Sequence, residues 1–378
     1  MSILRLSVMK ERATAPNRRG EFIADTYRSD RRTGDLGDIP ETEAINAKSA
    51  LMRHLQRTLE DPLGPAGKLG ADAPVTVMVH GFLFDPRQAV TPDPADSDNP
   101  HGRLFHFAAG AEDIEHKEHT TSWPLWLGFQ EEDEGKDGMA VAFGWHSQPG
   151  LAASLLENHD NFYARAYDYA GRSAWVLANL WQGLHDILAG RKIDIVCHSL
   201  GSRVVVRALA MAAKRNLALV GSIDRVIFLG AAEYVVEAQL MHKRLQQMTG
   251  IDAPPSFFNI VSREDAVLDR LGEKFGPRTF GNTQVIGHNG LDVEDPGAHW
   301  IDLQIDSGKL QSWMDDRGLH ISGDRPGNVW DHWYYYTFHG NMGFYSKLLR
   351  DRANWSIAAM RKAGAPDGVS RRWSIFGN

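Results

Sequence analysis

A chain of 378 residues, 43% apolar and 24% charged, can form one large α/β domain or two ordinary ones around a sizeable core. Its net charge of −7 argues against a nucleic-acid partner and supplies no polybasic membrane anchor. The single cysteine, Cys197, excludes an intrachain disulfide and fits a reducing compartment, so a cytoplasmic location is the expectation.

The stretch 1–20 lacks the apolar core and small-residue cleavage site of a secretory signal. No apolar run reaches membrane-span length, and no repeat of fixed period is present. "ILRLSVM" (3–9) and "EFIADTY" (21–27) alternate and predict a hairpin of strands. Residues 41–60 predict an amphipathic helix with Ile45, Leu51, Leu55 and Leu59 on one face, broken by "DPLGPAGKLG".

Short apolar runs follow at 75–79, 139–145, 193–197, 225–230, 257–261 and 300–305. Most are continuous rather than alternating, as expected of strands buried on both faces. Helical patterns at 171–190 and 200–214 lie between them, with Gly190 placed as a C-cap. Strands alternating with helices predict a mainly parallel central sheet with helices on both faces. The polar stretch 83–138 reads as a long insertion after the first core parallel strand, and 265–299 as a second irregular stretch. Residues 341–362 predict a C-terminal helix with Asn341 as N-cap. The expected division is thus 1–74 as a hairpin and helix joining the core, 75–362 as the main domain, and 363–378 as a tail.

The chemistry centres on Cys197-His198-Ser199-Leu200-Gly201. A strand that reverses sharply into a helix presents one side chain at its tip, and small residues at −2 and +2 let strand and helix approach. Gly201 supplies one small position and Cys197 stands in for the other. Ser199 is then a candidate nucleophile at the carboxyl end of the sheet, with the Leu200 N–H as an oxyanion donor. A serine N-cap at an ordinary strand–helix junction is the plain alternative. Upstream, "VMVHGF" (77–82) ends a strand in His80-Gly81-Phe82, which offers the Phe82 N–H, with Leu83 next, as the second donor.

The acid is expected after "FFNIV", at Asp265 with Glu264 as the alternative. The base is expected at His332, within "VWDHWYYYTFHGN", with His339 as the alternative; His320, His288 and His299 are weaker candidates. Cys197 itself, inside the strand, reads as a small core residue rather than a nucleophile.

The stretch "MAVAFGWHSQPG…YDYAGRSAWVLANLWQGLHDI…IDIVCHSLGSRVVVRAL" resembles the α/β-hydrolase superfamily. Within it the match is to a bacterial group of unassigned function that pairs a "fsWPs-G" strand end with an "H-S-M-G-N-R" elbow. Here the strand end is Gly144-Trp145-His146-Ser147, and the elbow carries Leu200 and Ser202-Arg203. The resemblance runs over roughly 75–350 and is strongest over 75–262. It implies the α/β-hydrolase fold, a Ser-His-Asp triad, no cofactor, and hydrolysis of esters or related acyl compounds. Cys197 in place of the elbow's first glycine, the 83–138 insertion and the aromatic run around His332 depart from it.

The expected function is therefore a serine hydrolase of carboxylic esters, esterase- or lipase-like, acting on a small acyl ester with neither metal nor cofactor. Acyl transfer or amide cleavage on the same residues, or a non-catalytic binding protein, are the alternatives. His101, His106, His116 and His119 lack tight zinc-ligand spacing, and "DPADSDN" (93–99) does not complete a calcium loop. Trp123, Trp126, Leu127 and Phe129 are expected either to face the serine from a lid or to plug a core edge. The aromatic series 330–336 is expected to pack the last strand and helix, with binding of a flat substrate as the alternative.

Overall fold

The computed structural model describes residues 3–9, 21–25, 41–60, 69–86, 88, 97–107, 122–130, 137–148, 161–269, 284–323 and 332–370. The predicted runs become eight strands: β1 (Ile3–Met9), β2 (Glu21–Asp25), β3 (Val75–Val79), β4 (Met139–Trp145), β5 (Ile193–His198), β6 (Ile223–Leu229), β7 (Ser256–Val261) and β8 (Trp300–Gln304). They form one sheet in the order β2-β1-β4-β3-β5-β6-β7-β8, and every neighbouring pair is parallel.

β3 and β4 are buried at every position, so continuous apolar runs rather than alternation mark them in the sequence. One face of the sheet packs on the helices Glu41–Leu59, Phe162–Ile187, Gly201–Lys214 and Val235–Gln246 around Leu55, Trp181, Leu209 and Met241. The other face packs on Gly308–Asp315, His339–Arg350 and Ile357–Lys362 around Met314, Leu348 and Met360. Among the described residues no helix is long and apolar enough to cross a membrane.

Three expectations need correction. β1 and β2 pair in parallel and do not form a hairpin. Alternation reports strand but not direction, and 10–20 is about as long as a parallel crossover needs, far longer than a hairpin turn. Because β1 already lies in the sheet, the 83–138 insertion follows the third strand of the chain, not the first. The predicted 341–362 helix is two helices, His339–Arg350 and Ile357–Lys362. Asn341 lies inside the first rather than capping it. Its amide donates to the carbonyls of Ser322 (2.7 Å) and Tyr335 (3.1 Å), and its Oδ1 accepts from the Ser322 N–H at 3.0 Å. The tail beyond 370 lies outside the described residues, as do 108–121 and 131–136 of the insertion, His116, His119 and Trp330.

The strand order fixes where a site can form. From β3 the chain moves to β4 on one side, then crosses back over β3 to β5 on the other and continues outward. Helices leaving adjacent strands to opposite sides open a crevice beyond the carboxyl ends of β3 and β5. Val79 of β3 is in register with Cys197 of β5, so Gly81 comes alongside Ser199.

Candidate active site

β5 ends at His198, and Ser199 takes a φ of 51°. The left-handed region costs a non-glycine residue about 1–2 kcal/mol and persists only where surroundings enforce it. Here the enforcement is backbone bonding on both sides. The Ser199 N–H donates to Leu229 O (3.0 Å), and its carbonyl accepts from the N–H groups of Ala232 and Ser202 at 3.0 Å each. The elbow helix comes very close to β3: a Cβ on Gly201 would lie 2.4 Å from His80 O and 2.8 Å from Val79 O, so only glycine fits. Cys197, at the other small position, is fully buried in the core, and burial raises its thiol pKa well above the ordinary range. A thiolate there is disfavoured, in keeping with its expected packing role.

The loop after β3 is tied down by the strand end of β4. The buried His80 ring stacks on Trp145 with centroids 5.6 Å apart. Its Nδ1 bonds Gly81 O at 2.9 Å, its Nε2 accepts the Trp145 N–H at 2.9 Å, and Trp145 Nε1–H donates to His80 O at 2.8 Å. Burial lowers the His80 pKa to about 3, so the ring is uncharged at neutral pH. One step on, the Phe84 N–H donates to Ser147 Oγ (2.9 Å) and the Ser147 N–H to Phe84 O (2.8 Å). A Cβ on Gly81 would lie 2.8 Å from Ser199 Cβ and 3.0 Å from His198 Nδ1, so the loop presses directly on the elbow. Of the expected oxyanion donors, the Leu83 N–H is directed at Ser147 O at 3.4 Å. The N–H groups of Phe82 and Leu200 are bonded to nothing else among the described residues.

Asp265, at the carboxyl end of β7, is fully buried and fully engaged. Its Oδ1 accepts the N–H groups of Val267 (3.1 Å) and Leu268 (3.2 Å); its Oδ2 meets His332 Nδ1 at 2.6 Å and Tyr336 Oη–H at 2.8 Å. A carboxylate with two oxygens so occupied fixes the imidazole's orientation and leaves Nδ1 as the protonated nitrogen. His332 Nε2 is buried and finds no hydrogen-bond partner among the described residues.

Ser199, His332 and His198 line one cavity of about 590 Å³ walled by Phe82, Phe84 and Trp333. The alternatives fall elsewhere. Glu264 contributes a backbone carbonyl to Tyr335 Oη, and His339 stacks on Trp126 at 4.0 Å, outside the cavity lining. His288 bonds Arg263, and the exposed His320 bonds Asp315.

Two contributors escaped the sequence reading. Tyr336 lies four residues beyond His332, in the short helix Tyr334–Thr337. His198, which the sequence marks only as a member of the elbow, has its ring 4.6 Å from that of His332. Trp123, Leu127 and Phe129 are fully buried in the second core, Trp123 stacking at 5.3 Å on Trp333, which lines the cavity. Behind the elbow, the buried Glu233 carboxylate accepts from Tyr167 Oη (2.7 Å), the Tyr234 N–H (2.8 Å) and Arg203 (3.0 Å). That holds the segment whose Ala232 N–H braces Ser199. Among the described residues no group of histidine, cysteine and carboxylate side chains could hold a metal ion. Comparisons with models of protein families and with curated proteins find no match to this chain.

Proposed function

We propose that this protein is a serine hydrolase of carboxylic esters with the α/β-hydrolase fold, acting through Ser199, His332 and Asp265. The observation that carries the reading is a single cavity lined by a serine at positive φ and by a histidine whose far nitrogen is held by a buried carboxylate at 2.6 Å. In this scheme His332 Nε2 takes the proton of Ser199 Oγ as it attacks the acyl carbonyl. The imidazolium is stabilised by Asp265, and the proton passes to the departing alcohol. The Phe82 and Leu200 N–H groups stabilise the oxyanion; loss of one such donor typically costs about 10²–10³ in turnover. Water then attacks the acyl-enzyme, with His332 as base and Ser199 as leaving group. No step calls for a cofactor.

The walls favour an apolar acyl group of modest size, since the cavity lining is mostly aromatic and aliphatic. The test is hydrolysis of a panel of p-nitrophenyl esters by the wild type and by Ser199→Ala, His332→Gln and Asp265→Asn. The scheme expects losses of about 10⁴-fold for each variant with folding retained. A well-folded wild type that turns over no ester or amide, and transfers no acyl group to an added alcohol, would instead point to a binding protein.

A further inference from the structure

We propose that His198 is a positioning residue for His332: an uncharged imidazole wall that excludes water from one side of the base and leaves His332 to carry the proton. The proposal rests on the reading of His332 as the base.

The two rings lie 4.6 Å apart, tilted by 32°. His198 is only 5% exposed. It meets Trp333 edge-on at 4.9 Å, Tyr336 at 5.7 Å and Trp123 at 6.5 Å, and its Nδ1 faces Gly81 of the loop after β3. It is thus wedged between the base and the loop that carries the Phe82 N–H. Its Nε2 is buried with no hydrogen-bond partner among the described residues.

The charges around it decide which imidazole can become a cation. From the 332–337 segment it faces His332 and the neutral Tyr336; from the loop after β3 the titratable neighbour is His80, which is uncharged at neutral pH. The 122–126 segment offers Trp123. The nearby carboxylate, Asp265, gives its oxygens to His332, Tyr336 and two amides. A proton on His332 has Asp265 at 2.6 Å; a proton on His198 has no anion against it and a second imidazole beside it. Burial, with His332 and His80 as neighbours, pushes the His198 pKa well below the ordinary histidine range, in the same direction.

The experiment is a pH titration of the histidine ring resonances by NMR in the intact protein, assigned with His332→Gln and repeated in His198→Phe and His198→Ala. In the wild type the His198 resonances stay flat from about pH 5 to 8. The Phe variant keeps the wall and holds kcat on an ester within about threefold of wild type. In the Ala variant water replaces the ring, and kcat falls about tenfold while KM holds, as the base loses its support. A His198 that titrates between about pH 5 and 8, or an Ala variant with unchanged kcat, overturns the proposal; so does a Phe variant as impaired as the Ala variant. If the Ala variant does not fold, the wild-type titration and the Phe variant decide. A flat His198 in a protein without ester turnover would refute the hydrolase reading alone, and robust turnover unchanged in the Ala variant would refute this proposal alone.

Discussion

His80 should make the fold acid-sensitive in a measurable way. Its Nδ1 faces a carbonyl, which only accepts, and its Nε2 faces an amide N–H, which only donates. Both partners are satisfied by one neutral tautomer, and a second ring proton would be driven against the Trp145 N–H. With the folded-state pKa at about 3 and the ordinary value at 6.5, the folded protein binds fewer protons than the unfolded chain between those values. The contribution is therefore complete above pH 6.5 and is lost as pH falls toward 3. Between pH 7 and 5 it amounts to about 2 kcal/mol for this group alone. Urea unfolding of the wild type and His80→Asn at several pH values isolates it, because the other buried histidines are common to both proteins and cancel. The stability gap between them should narrow by about 2 kcal/mol from pH 7 to 5. A gap that does not change with pH would refute the assignment of a neutral, doubly bonded His80.

Gly81→Ala should cost about 1–3 kcal/mol in urea unfolding and, under the proposed mechanism, about 100-fold in ester turnover, since its Cβ would collide with Ser199 Cβ and shift the loop after β3. Tyr336→Phe removes a donor from the buried Asp265 carboxylate; stability should fall by about 1–3 kcal/mol, and kcat rather than KM should drop as His332 loses orientation. Cys197→Ala should retain turnover within about threefold, and thiol reagents should leave the folded wild type active, because the sulfur is fully buried in the core.

The sheet was legible wherever burial on both faces wrote a continuous apolar run, as in 75–79 and 139–145. The elbow was legible because its geometry excludes most residues: Gly201 lies against the carbonyls of β3, and the strain at Ser199 needs a sharp turn to exist at all. Asp265 could be expected from its place just beyond a strand, and the structure brings it to His332 rather than His339. The direction of β2 was not legible, because alternation is the same in parallel and antiparallel strands. Nor was the role of Trp123, since a lid and a core edge both call for apolar side chains, and a buried ring stacked on the cavity-lining Trp333 suits either. Nor did the sequence announce His198 beside His332, a proximity created by segments far apart in the chain.

The most direct measurement is mass spectrometry of the folded protein after treatment with a fluorophosphonate, which reacts with a serine only where a base and an oxyanion site activate it. A single phosphonyl adduct should appear on Ser199, vanish in Ser199→Ala and persist in Cys197→Ala. No adduct on folded wild type, or an adduct on another residue, would contradict the assignment of Ser199 as the nucleophile.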